Sequence, residues 1–273
     1  MIDEFEKHIV HDGSRYETKL PFKPDHDPLS DNFNVSQRRL KSNVRKLKSS
    51  GILDDYHDVL KEYERENIIE RVPPDEVYKE NGTAHYLPHR AVVKEDRLTT
   101  KIRPVFDASC KITGPSLNEC LYSGPNLLSK IFDVLFRFRL NKIGIVADIK
   151  KAFLNISISP EHRDFLRFLW EENDEQVIFR FRRLVMGLTC SPFLLNGTVR
   201  RHLQSEVGKY PAEVLERLGE DLYVDDITSG CESVDEGKRF QIVSNDVMKD
   251  AGLELRKWMT NDKCLQRFFD GGR

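Results

Sequence analysis

The chain has 273 residues, 39% hydrophobic and 32% charged, which is enough to bury a core in one large domain or in two subdomains. Its 43 basic and 45 acidic residues leave a net charge of −2, so overall charge neither requires nor excludes a nucleic-acid partner. Five scattered cysteines without a C-x-x-C pair exclude a zinc pattern and a disulfide framework, while the acidic start and short apolar runs exclude a signal peptide and a membrane span.

The first part of the chain predicts an extended segment, two helices and a hairpin. Three prolines within residues 21–28 indicate an extended lead-in over residues 1–35. Apolar residues at helical spacing predict a helix from Ser36 that Gly51 interrupts and that continues to Arg65. HYLPHRAVV and TTKIRPVFD then alternate as two strands around the charged turn KEDRL.

The middle of the chain alternates between helices and strands. Residues 126–140 predict a helix, and the apolar run KIGIVADI after it predicts a buried strand. Two further strands, DFLRFLW and QVIFRFRRL, precede a helix that opens at Ser191-Pro192 and runs toward Val207. The helix over residues 126–140 is expected to turn five apolar residues inward: Leu127, Leu128, Ile131, Leu135 and Phe138.

The last predicted elements complete an α+β arrangement. DLYVDDITSG is typical of a β-hairpin, and Ser233 with Glu236 forms a capping box for a helix that Gly252 ends. LELRKWM then closes as a strand. From residue 143 the order is strand, two strands, helix, hairpin, helix and strand, which predicts helices on one face of a mainly antiparallel sheet.

Two adjacent aspartates, Asp225 and Asp226, interrupt the predicted hairpin. Asp is depleted in strands and neighbouring like charges repel, so the pair is either a solvated turn or a site for a divalent cation. Asp148 ends the predicted buried strand, where a carboxylate is costly unless it is satisfied locally or bound to a metal. If strand and hairpin converge, three carboxylates supply enough charge for two Mg²⁺ ions, which predicts phosphoryl or nucleotidyl transfer.

Nine motifs in a fixed order extend this interpretation to a family. The chain resembles a reverse transcriptase, and most closely that of the Bel/Pao class of LTR retrotransposons, over residues 14–261. YVDD alone is a moderate signal, whereas nine ordered motifs are specific. The motifs are RYETKLPFK, YLPHRAVVKED, KIRPVFDAS, SLNECLYSGPNLL, VADIKKAFLNI, RFLW, GLTCSPFLLN, YVDD and LRKWMTN.

The resemblance implies the fingers and palm of a polymerase, the palm being an antiparallel sheet with helices on one face. After the lead-in we expect a fingers-like region with N-terminal helices over residues 36–142. The palm would cover residues 143–265, with fingers strands interleaved near residues 160–185. Residues 266–273 would then be a truncated tail. No thumb is expected, so the chain would be a piece of a polyprotein or a truncated gene product.

The resemblance also assigns the metal site. Asp148 and Asp225 would bridge two Mg²⁺ ions, for which Mn²⁺ could substitute, with Asp226 nearby and less direct. The backbone carbonyl of Ile149 would complete the site for the nucleotide-bound ion. Lys257 resembles the late-palm lysine that protonates pyrophosphate.

Further residues match positions that contact the incoming nucleotide. Arg103 resembles the fingers arginine that lies against the base and α-phosphate, which suits a guanidinium because it both stacks and bonds phosphate. Lys94 resembles the lysine that reaches the γ-phosphate, and Lys101 competes for that role. Either lysine could instead be a solvated hairpin charge. Phe153 lies where relatives place an aromatic ring that excludes a 2′-hydroxyl, and its alternative is an ordinary core Phe.

The GLTCSP segment and the hairpin supply the remaining predicted contacts. Gly187 and Ser191 match positions beside the nucleotide, and Pro192 and Tyr223 are expected to contact nucleic acid. Met186 stands where familiar relatives have Gln, which removes a polar contact to the sugar. Local basic clusters are either faces toward the nucleic-acid backbone or solvated surface: Arg137, Arg139 and Lys142; Arg180, Arg182 and Arg183; Arg200 and Arg201.

The resulting hypothesis is an RNA-directed DNA polymerase that adds deoxynucleotides to a primer 3′ end. Its partners would be an RNA or DNA template with primer, dNTPs and other retroelement polyprotein domains, with no membrane. It would be intracellular, within a cytoplasmic retroelement particle. One alternative is a catalytically silent relic that binds nucleic acid or protein. Another is a different palm-type nucleotidyltransferase such as a cyclase, which would need no template contacts.

Overall fold

The structure, a computed structural model, describes residues 1–78, 82–93, 102–173 and 175–271. The α-helices within these residues are α1 (Ile2–His8), α2 (Phe33–Ser49), α3 (Leu53–Arg65), α4 (Leu117–Cys120), α5 (Ile131–Leu140), α6 (Ser191–Ser205), α7 (Ala212–Asp221), α8 (Val234–Asp250) and α9 (Lys263–Gly271). The strands are β1 (Val10–His11), β2 (Tyr16–Thr18), β3 (Ile69–Arg71), β4 (His89–Val93), β5 (Ile102–Phe106), β6 (Ile143–Ile149), β7 (Ser157–Ile158), β8 (Arg167–Glu172), β9 (Glu175–Phe181), β10 (Leu222–Tyr223), β11 (Asp226–Cys231) and β12 (Leu255–Thr260). None of the described helices is both long and apolar enough to cross a membrane.

The chain divides into two compact units, each built from separate stretches of sequence. Unit 1 contains Thr18–Ser123 and Ser157–Ser191, together with Met1. Unit 2 contains Ile2–Glu17, Gly124–Ile156 and Pro192–Arg273. Helices and antiparallel sheets occur in both units, which confirms the predicted α+β class.

Unit 1 combines an antiparallel sheet in the order β3-β9-β8 with the β4–β5 hairpin. Helices α2 and α3 pack on these strands, and the break between them falls at Gly51, whose φ of +67° suits a residue without Cβ. The two predicted helices are therefore confirmed, and the two predicted strands pair antiparallel over His89–Val93 and Ile102–Phe106, while the charged turn predicted between them lies outside the described residues. Aromatic side chains from the strands fill the core: Phe106, Phe168, Trp170, Phe179 and Phe181.

A hydrogen-bonded chain of polar groups crosses this core. The Tyr56 hydroxyl lies 2.5 Å from His89 Nδ1, and His89 Nε2 lies 2.8 Å from the Leu169 carbonyl oxygen. Burial lowers the pKa of His89 to about 4, partly opposed by the bond to Leu169, so the ring is neutral near pH 7. A carbonyl can only accept, so Nε2 carries the proton and Nδ1 accepts from Tyr56.

A buried ion-pair network, defined here as Glu70, Glu76, Asp164, Arg167 and Arg180, also lies in unit 1. Arg167 Nη2 is 2.8 Å from Asp164 Oδ1, and Arg180 Nε is 2.7 Å from Glu70 Oε1. Burial raises the pKa of Asp164, but hydrogen bonds from Arg167 and Arg180 outweigh it and hold the pKa below its ordinary value. Arg180 was expected in a basic cluster facing nucleic acid or solvent; it is instead mostly shielded from water, with a side chain 14% exposed, and pairs with Glu70, Glu76 and Asp164.

Unit 2 is built on an antiparallel sheet, as the sequence predicts, and the strands lie in the order β10-β11-β6-β12. Strand β6 is internal, and its residues alternate between buried and half-buried. Helix α8 packs against β6, β11 and β12, and α7 packs against β11. Helix α5 packs against β11 and β6, with Phe138 close to Gly144 on the face of β6 that includes Asp148, so this face is half-buried and partly open to solvent.

Four parts of the chain differ from the sequence-based expectation. The helix expected over residues 126–140 begins only at Ile131, because the Asn126 side chain accepts a bond from the Leu128 amide and forms a turn. That helix buries Val134 rather than the five expected apolar residues. The expected extended lead-in contains α1, β1 and β2, and α7 and α9 were not predicted. Helix α9 occupies most of the expected tail.

Only half of the predicted capping box of α8 is present. The Ser233 hydroxyl accepts from the Glu236 amide at 3.3 Å, as expected for an N-cap. The Glu236 carboxylate reaches the amide of Glu232 at 3.0 Å, one residue before the N-cap. Gly252 follows the end of the helix with φ +72°, as predicted.

Candidate active site

The two adjacent aspartates lie at a tight turn in unit 2. Tyr223 pairs with Asp226, so the β10–β11 hairpin turns through two residues, Val224 and Asp225. Val224 has φ +59°, a left-handed value that is rare for a β-branched residue and costs on the order of 1–3 kcal/mol. The Asp225 carbonyl accepts a 2.8 Å bond from the Ile149 amide, which ties the turn to the end of β6. The strained turn thereby holds Asp225 and Asp226 beside the strand that carries Asp148.

Three charged residues form a row across adjacent strands, called the acidic row below: Arg256 of β12, Asp148 of β6 and Asp226 of β11. Asp148 is directly opposite both Arg256 and Asp226, and directly opposite residues point to the same face of a sheet. Arg256 Nε lies 2.8 Å from Asp148 Oδ1. The pairing of β11 with β6 thus places Asp226 of the hairpin directly opposite the strand-end Asp148, and the role predicted for them in metal binding stays a prediction.

Lys257 joins this row from an irregular position. It has φ +53° and lies at a break in the register of β12 between Arg256 and Met259. This irregularity is a local bulge, and bulges re-aim side chains. The Lys257 ammonium consequently lies 2.9 Å from Asp148 Oδ2, although its neighbour Arg256 bonds the same carboxylate.

The donor set of this region fits a hard divalent cation in its chemistry. Asp148, Asp225 and Asp226 offer carboxylate oxygens, the ligands that Mg²⁺ and Mn²⁺ prefer. Among the described residues, no three His, Cys, Asp or Glu side chains are grouped tightly enough to ligate a metal as they stand. Both oxygens of Asp148 are engaged by Arg256 and Lys257, so cation binding there requires a side-chain rearrangement.

Two further predicted residues of unit 2 lie close to Asp148 in the chain. Ile149 ends β6 and is buried. Phe153 lies in a 3-10 turn at Ala152–Asn155 and is also buried, with its carbonyl accepting the Ile156 amide at 3.1 Å. Before this turn Lys151 has φ +50°, so the chain reverses direction directly after β6.

The predicted nucleotide contacts of the fingers belong to unit 1. Arg103 is half-buried in β5, opposite Val92 of β4. Its positive charge acts on Tyr63 of α3, whose pKa burial raises to about 12 and Arg103 partly lowers. Lys94 and its competitor Lys101 lie outside the described residues, so their roles stay predictions.

The GLTCSP segment begins with a glycine that no other residue could replace without strain. Gly187 has φ +115°, and an added Cβ would lie 2.9 Å from the Phe106 carbonyl oxygen. Asn118 braces this segment, because its Nδ2 donates to the Gly187 carbonyl at 3.1 Å and its Oδ1 accepts from the Thr189 amide at 2.8 Å. The Ser191 hydroxyl donates to the Val185 carbonyl at 2.6 Å. Both Gly187 and Ser191 therefore have structural reasons for their identity.

Three other predicted positions differ in exposure. Pro192 is exposed in the first turn of α6, and Tyr223 is half-buried in β10. Met186, which stands in place of a polar residue, is 58% exposed. Arg137 of the expected basic surface pairs with Asp221 at 3.1 Å within unit 2, which reduces the charge it could offer to a nucleic acid.

Sequence reasoning missed two residues that the structure brings into these regions. Asn118 lies within the SLNECLYSGPNLL motif, but its bonds to Gly187 and Thr189 join segments about seventy residues apart, which no local pattern reveals. Arg256 precedes Lys257 in LRKWMTN, but its place opposite Asp148 depends on the pairing of β12 with β6. No local pattern reveals that register.

Comparisons with known proteins agree with this geometry. The family model described as reverse transcriptase (RNA-dependent DNA polymerase) matches residues 94–264, which is more than half of the chain. No match is found among curated proteins. Among solved structures the chain is similar to the foamy viral protease-reverse transcriptase, in a structure determined in complex with an RNA/DNA hybrid.

The likeness to the foamy viral structure has a TM-score of 0.53 at 17% sequence identity, and at that identity it speaks for the fold. It covers 78% of this chain but only 24% of the foamy viral chain, so the chain spans about a quarter of the length of that relative. The family model adds the match in sequence over β5, β6, β11 and β12. The chain belongs to the reverse transcriptase (RNA-dependent DNA polymerase) family.

Proposed function

We propose that this chain is an RNA-directed DNA polymerase domain that extends the 3′ end of a primer with deoxynucleotides. The observation that carries the proposal is the position of Asp148 opposite Asp226 on adjacent strands. Asp225 precedes Asp226 in the strained turn between β10 and β11. Strained backbone at a cluster of like charges favours a functional site over a structural one. Membership of the reverse transcriptase family supplies the reaction class.

The chain's own residues divide the chemical tasks. Asp148, Asp225 and Asp226 would hold two Mg²⁺ ions, or Mn²⁺ in their place, with help from the Ile149 carbonyl. Two bound divalent ions supply charge neutralisation for the attacking and leaving oxygens of a phosphoryl transfer. Lys257, whose ammonium already reaches Asp148, is the proposed proton donor to the leaving pyrophosphate.

The remaining predicted residues are assigned to the nucleotide and the nucleic acid. Arg103 and Lys94 are proposed to bind the phosphates, and Phe153 to exclude a 2′-hydroxyl. Gly187 and Ser191 support the nucleotide-binding loop through the bonds and close approach described above. Pro192 and Tyr223 are proposed to contact the template or primer.

The source and partners of the domain are part of the same proposal. The resemblance of the nine ordered motifs supports a Bel/Pao-type retrotransposon polyprotein as the source, and action in a cytoplasmic particle with other domains of that polyprotein is proposed as an extension of it. The foamy viral relative was studied with an RNA/DNA hybrid. We extend this partner class, primed RNA or DNA template with dNTPs, to the present chain.

Primer extension with an Asp225→Asn variant tests the metal assignment. The substitution should reduce kcat by at least about 10²-fold with Mg²⁺, because the reaction loses a preorganised charge where the reacting phosphate must be neutralised. Asp235→Asn is the matched control, since Asp235 is an exposed acid in the first turn of α8. Near-normal turnover of Asp225→Asn would refute the assignment. An unmodified chain that extends no primer with Mg²⁺ or Mn²⁺ would favour the silent relic.

A sugar-selection assay tests Phe153. Phe153→Val should lower the ratio of kcat/KM for dNTP over rNTP, because a smaller side chain leaves room for the 2′-hydroxyl. Phe132→Val is the control in the same unit, since Phe132 of α5 is largely exposed. An unchanged ratio would return Phe153 to a role in the core.

A further inference from the structure

The acidic row contains one basic side chain, that of Arg256, to which the proposed chemistry assigns no role. We infer that Arg256 is a positioning residue that competes with divalent cations for Asp148 and thereby weakens cation binding in the absence of nucleotide. The inference rests on the proposed function, because it requires the cation to bind at Asp148. It adds a determinant of cation affinity on β12, outside the three aspartates.

The position of Arg256 follows from the backbone. Arg256 is directly opposite Asp148, and Asp148 is directly opposite Asp226, so all three side chains start from the same face of the sheet. Directly opposite like charges destabilise a sheet, and an opposite charge next to them offsets the repulsion. Arg256 therefore stabilises the row when no cation is bound.

The contact between Arg256 and Asp148 is partly shielded from water. The side chain of Arg256 is 33% exposed and that of Asp148 is 22% exposed, and Nε to Oδ1 is 2.8 Å. Charge interactions are stronger in such surroundings than between fully exposed groups. A cation that takes Oδ1 must displace this donor and then remain near a positive guanidinium.

Lys257 bonds the other carboxylate oxygen of Asp148, Oδ2, but its backbone conformation differs from that of Arg256. It lies at the bulge of β12 with φ +53°, whereas Arg256 is in regular register with β6. Regular pairing keeps the backbone of Arg256 directly opposite that of Asp148, so a guanidinium displaced by a cation stays close to it. Lys257 and Arg256 thus have different roles, and Arg256 is the residue whose positive charge stays close enough to repel a cation at Asp148.

The consequence is coupling between cation and nucleotide. Mg²⁺ prefers a few carboxylates plus substrate phosphates over a site made by protein alone. With Arg256 opposing the cation, the aspartates by themselves hold it weakly, and phosphate oxygens must complete the site. Removing the charge of Arg256 should let the aspartates hold the cation without a nucleotide.

Binding of Mn²⁺ to the complete 273-residue chain, measured by the EPR signal of free Mn²⁺ without nucleotide, tests the inference. Arg256→Gln should lower the Kd for Mn²⁺ by about 3- to 10-fold, since a neighbouring positive charge is lost. The same variant should unfold at a lower temperature than the unmodified chain when EDTA is present. A tighter site in a less stable protein is a result that a merely structural role would not produce.

Three further variants act as controls. Arg256→Lys keeps the charge and should restore the unmodified Kd, and Arg256→Met keeps the aliphatic stem and should tighten binding as Gln does. Arg239→Gln removes an arginine from an exposed pair with Glu213 in the same unit and should change neither Kd nor stability.

The outcomes separate the inference from the proposed function. If Asp225→Asn leaves Mn²⁺ binding intact, the metal assignment and this inference both fail. If Asp225→Asn abolishes binding but the neutral Arg256 variants bind Mn²⁺ no more tightly than the unmodified chain, only the inference is overturned. Failure of both neutral variants to fold would make Arg256 a structural residue and would also overturn it.

Discussion

The buried ion-pair network of unit 1 and the acidic row of unit 2 use the same residue types under different conditions. In the network, Asp164 accepts from two arginines, and Arg167 also donates to the backbone carbonyls of Glu76 and Val77. In the row, Arg256 and Lys257 both pair with Asp148, and the neighbouring Asp226 is exposed, on a sheet face that is partly open. Arg167 of the network is fully buried and also holds backbone carbonyls, which suits the network to stabilise a fold, whereas carboxylates on a partly open sheet face are accessible to cations.

Removing Arg167 should give the largest loss of stability. A small loss would contradict the view that the network stabilises the fold. The Arg167 side chain is 0% exposed, so Arg167→Met leaves a buried carboxylate and two partly buried backbone carbonyls short of donors. We expect a loss of about 3–5 kcal/mol in the free energy of unfolding. Urea denaturation measures it, with Arg239→Gln as the exposed control. Equal effects of the two substitutions would show that the network is not structural.

Acid should destabilise unit 1 through His89, which is the next largest effect. The pKa of His89 falls from 6.5 to about 4 on folding, so the unfolded chain binds more protons between these values. Stability contributed by the neutral ring is complete above about pH 6.5 and is lost as the pH falls toward 4, by about 3 kcal/mol. His89→Gln should flatten this part of the pH profile of the unfolding free energy. An unchanged slope would mean that other groups cause the acid sensitivity.

Replacing a glycine in a turn of unit 1 should cause a smaller loss of stability. Gly187→Ala should cost about 2 kcal/mol, because φ is +115° and the new Cβ would lie 2.9 Å from the Phe106 carbonyl oxygen. Gly82 has φ +86° with open space around it, so Gly82→Ala reports the backbone cost alone. Thermal and urea unfolding should rank Gly187→Ala clearly below Gly82→Ala. Equal costs would show that the close approach to Phe106 relaxes.

Relief of strain in unit 2 should give the smallest effect and the opposite sign. Val224→Gly should stabilise the metal-free chain by about 1 kcal/mol, because glycine adopts φ +59° without a steric penalty. Thr228→Gly in the regular part of β11 is the control and should destabilise. A loss of stability on Val224→Gly would mean that the turn beside the row is not strained, which would weaken the contrast between the stable network and this strained turn.

Local spacing in the sequence determined much of the fold. The apolar periodicity before and after Gly51 predicted α2 and α3, and the alternation in YVDDITSG predicted the β10–β11 hairpin. Ordered motifs were sufficient to identify the family that the comparisons then matched over residues 94–264. Such features depend on a few neighbouring residues, so no knowledge of distant contacts is needed.

The tertiary structure alone decided which distant side chains meet. Asp148 faces Arg256, more than a hundred residues away, because β12 pairs with β6 in one register, and a shift by one residue would turn Arg256 to the other face. Arg180 looked like surface charge in the sequence, but it is surrounded by Glu70, Glu76 and Asp164. Sequence spacing determines the faces of a helix or strand; burial and register, which depend on the whole packed unit, determine what those faces contact.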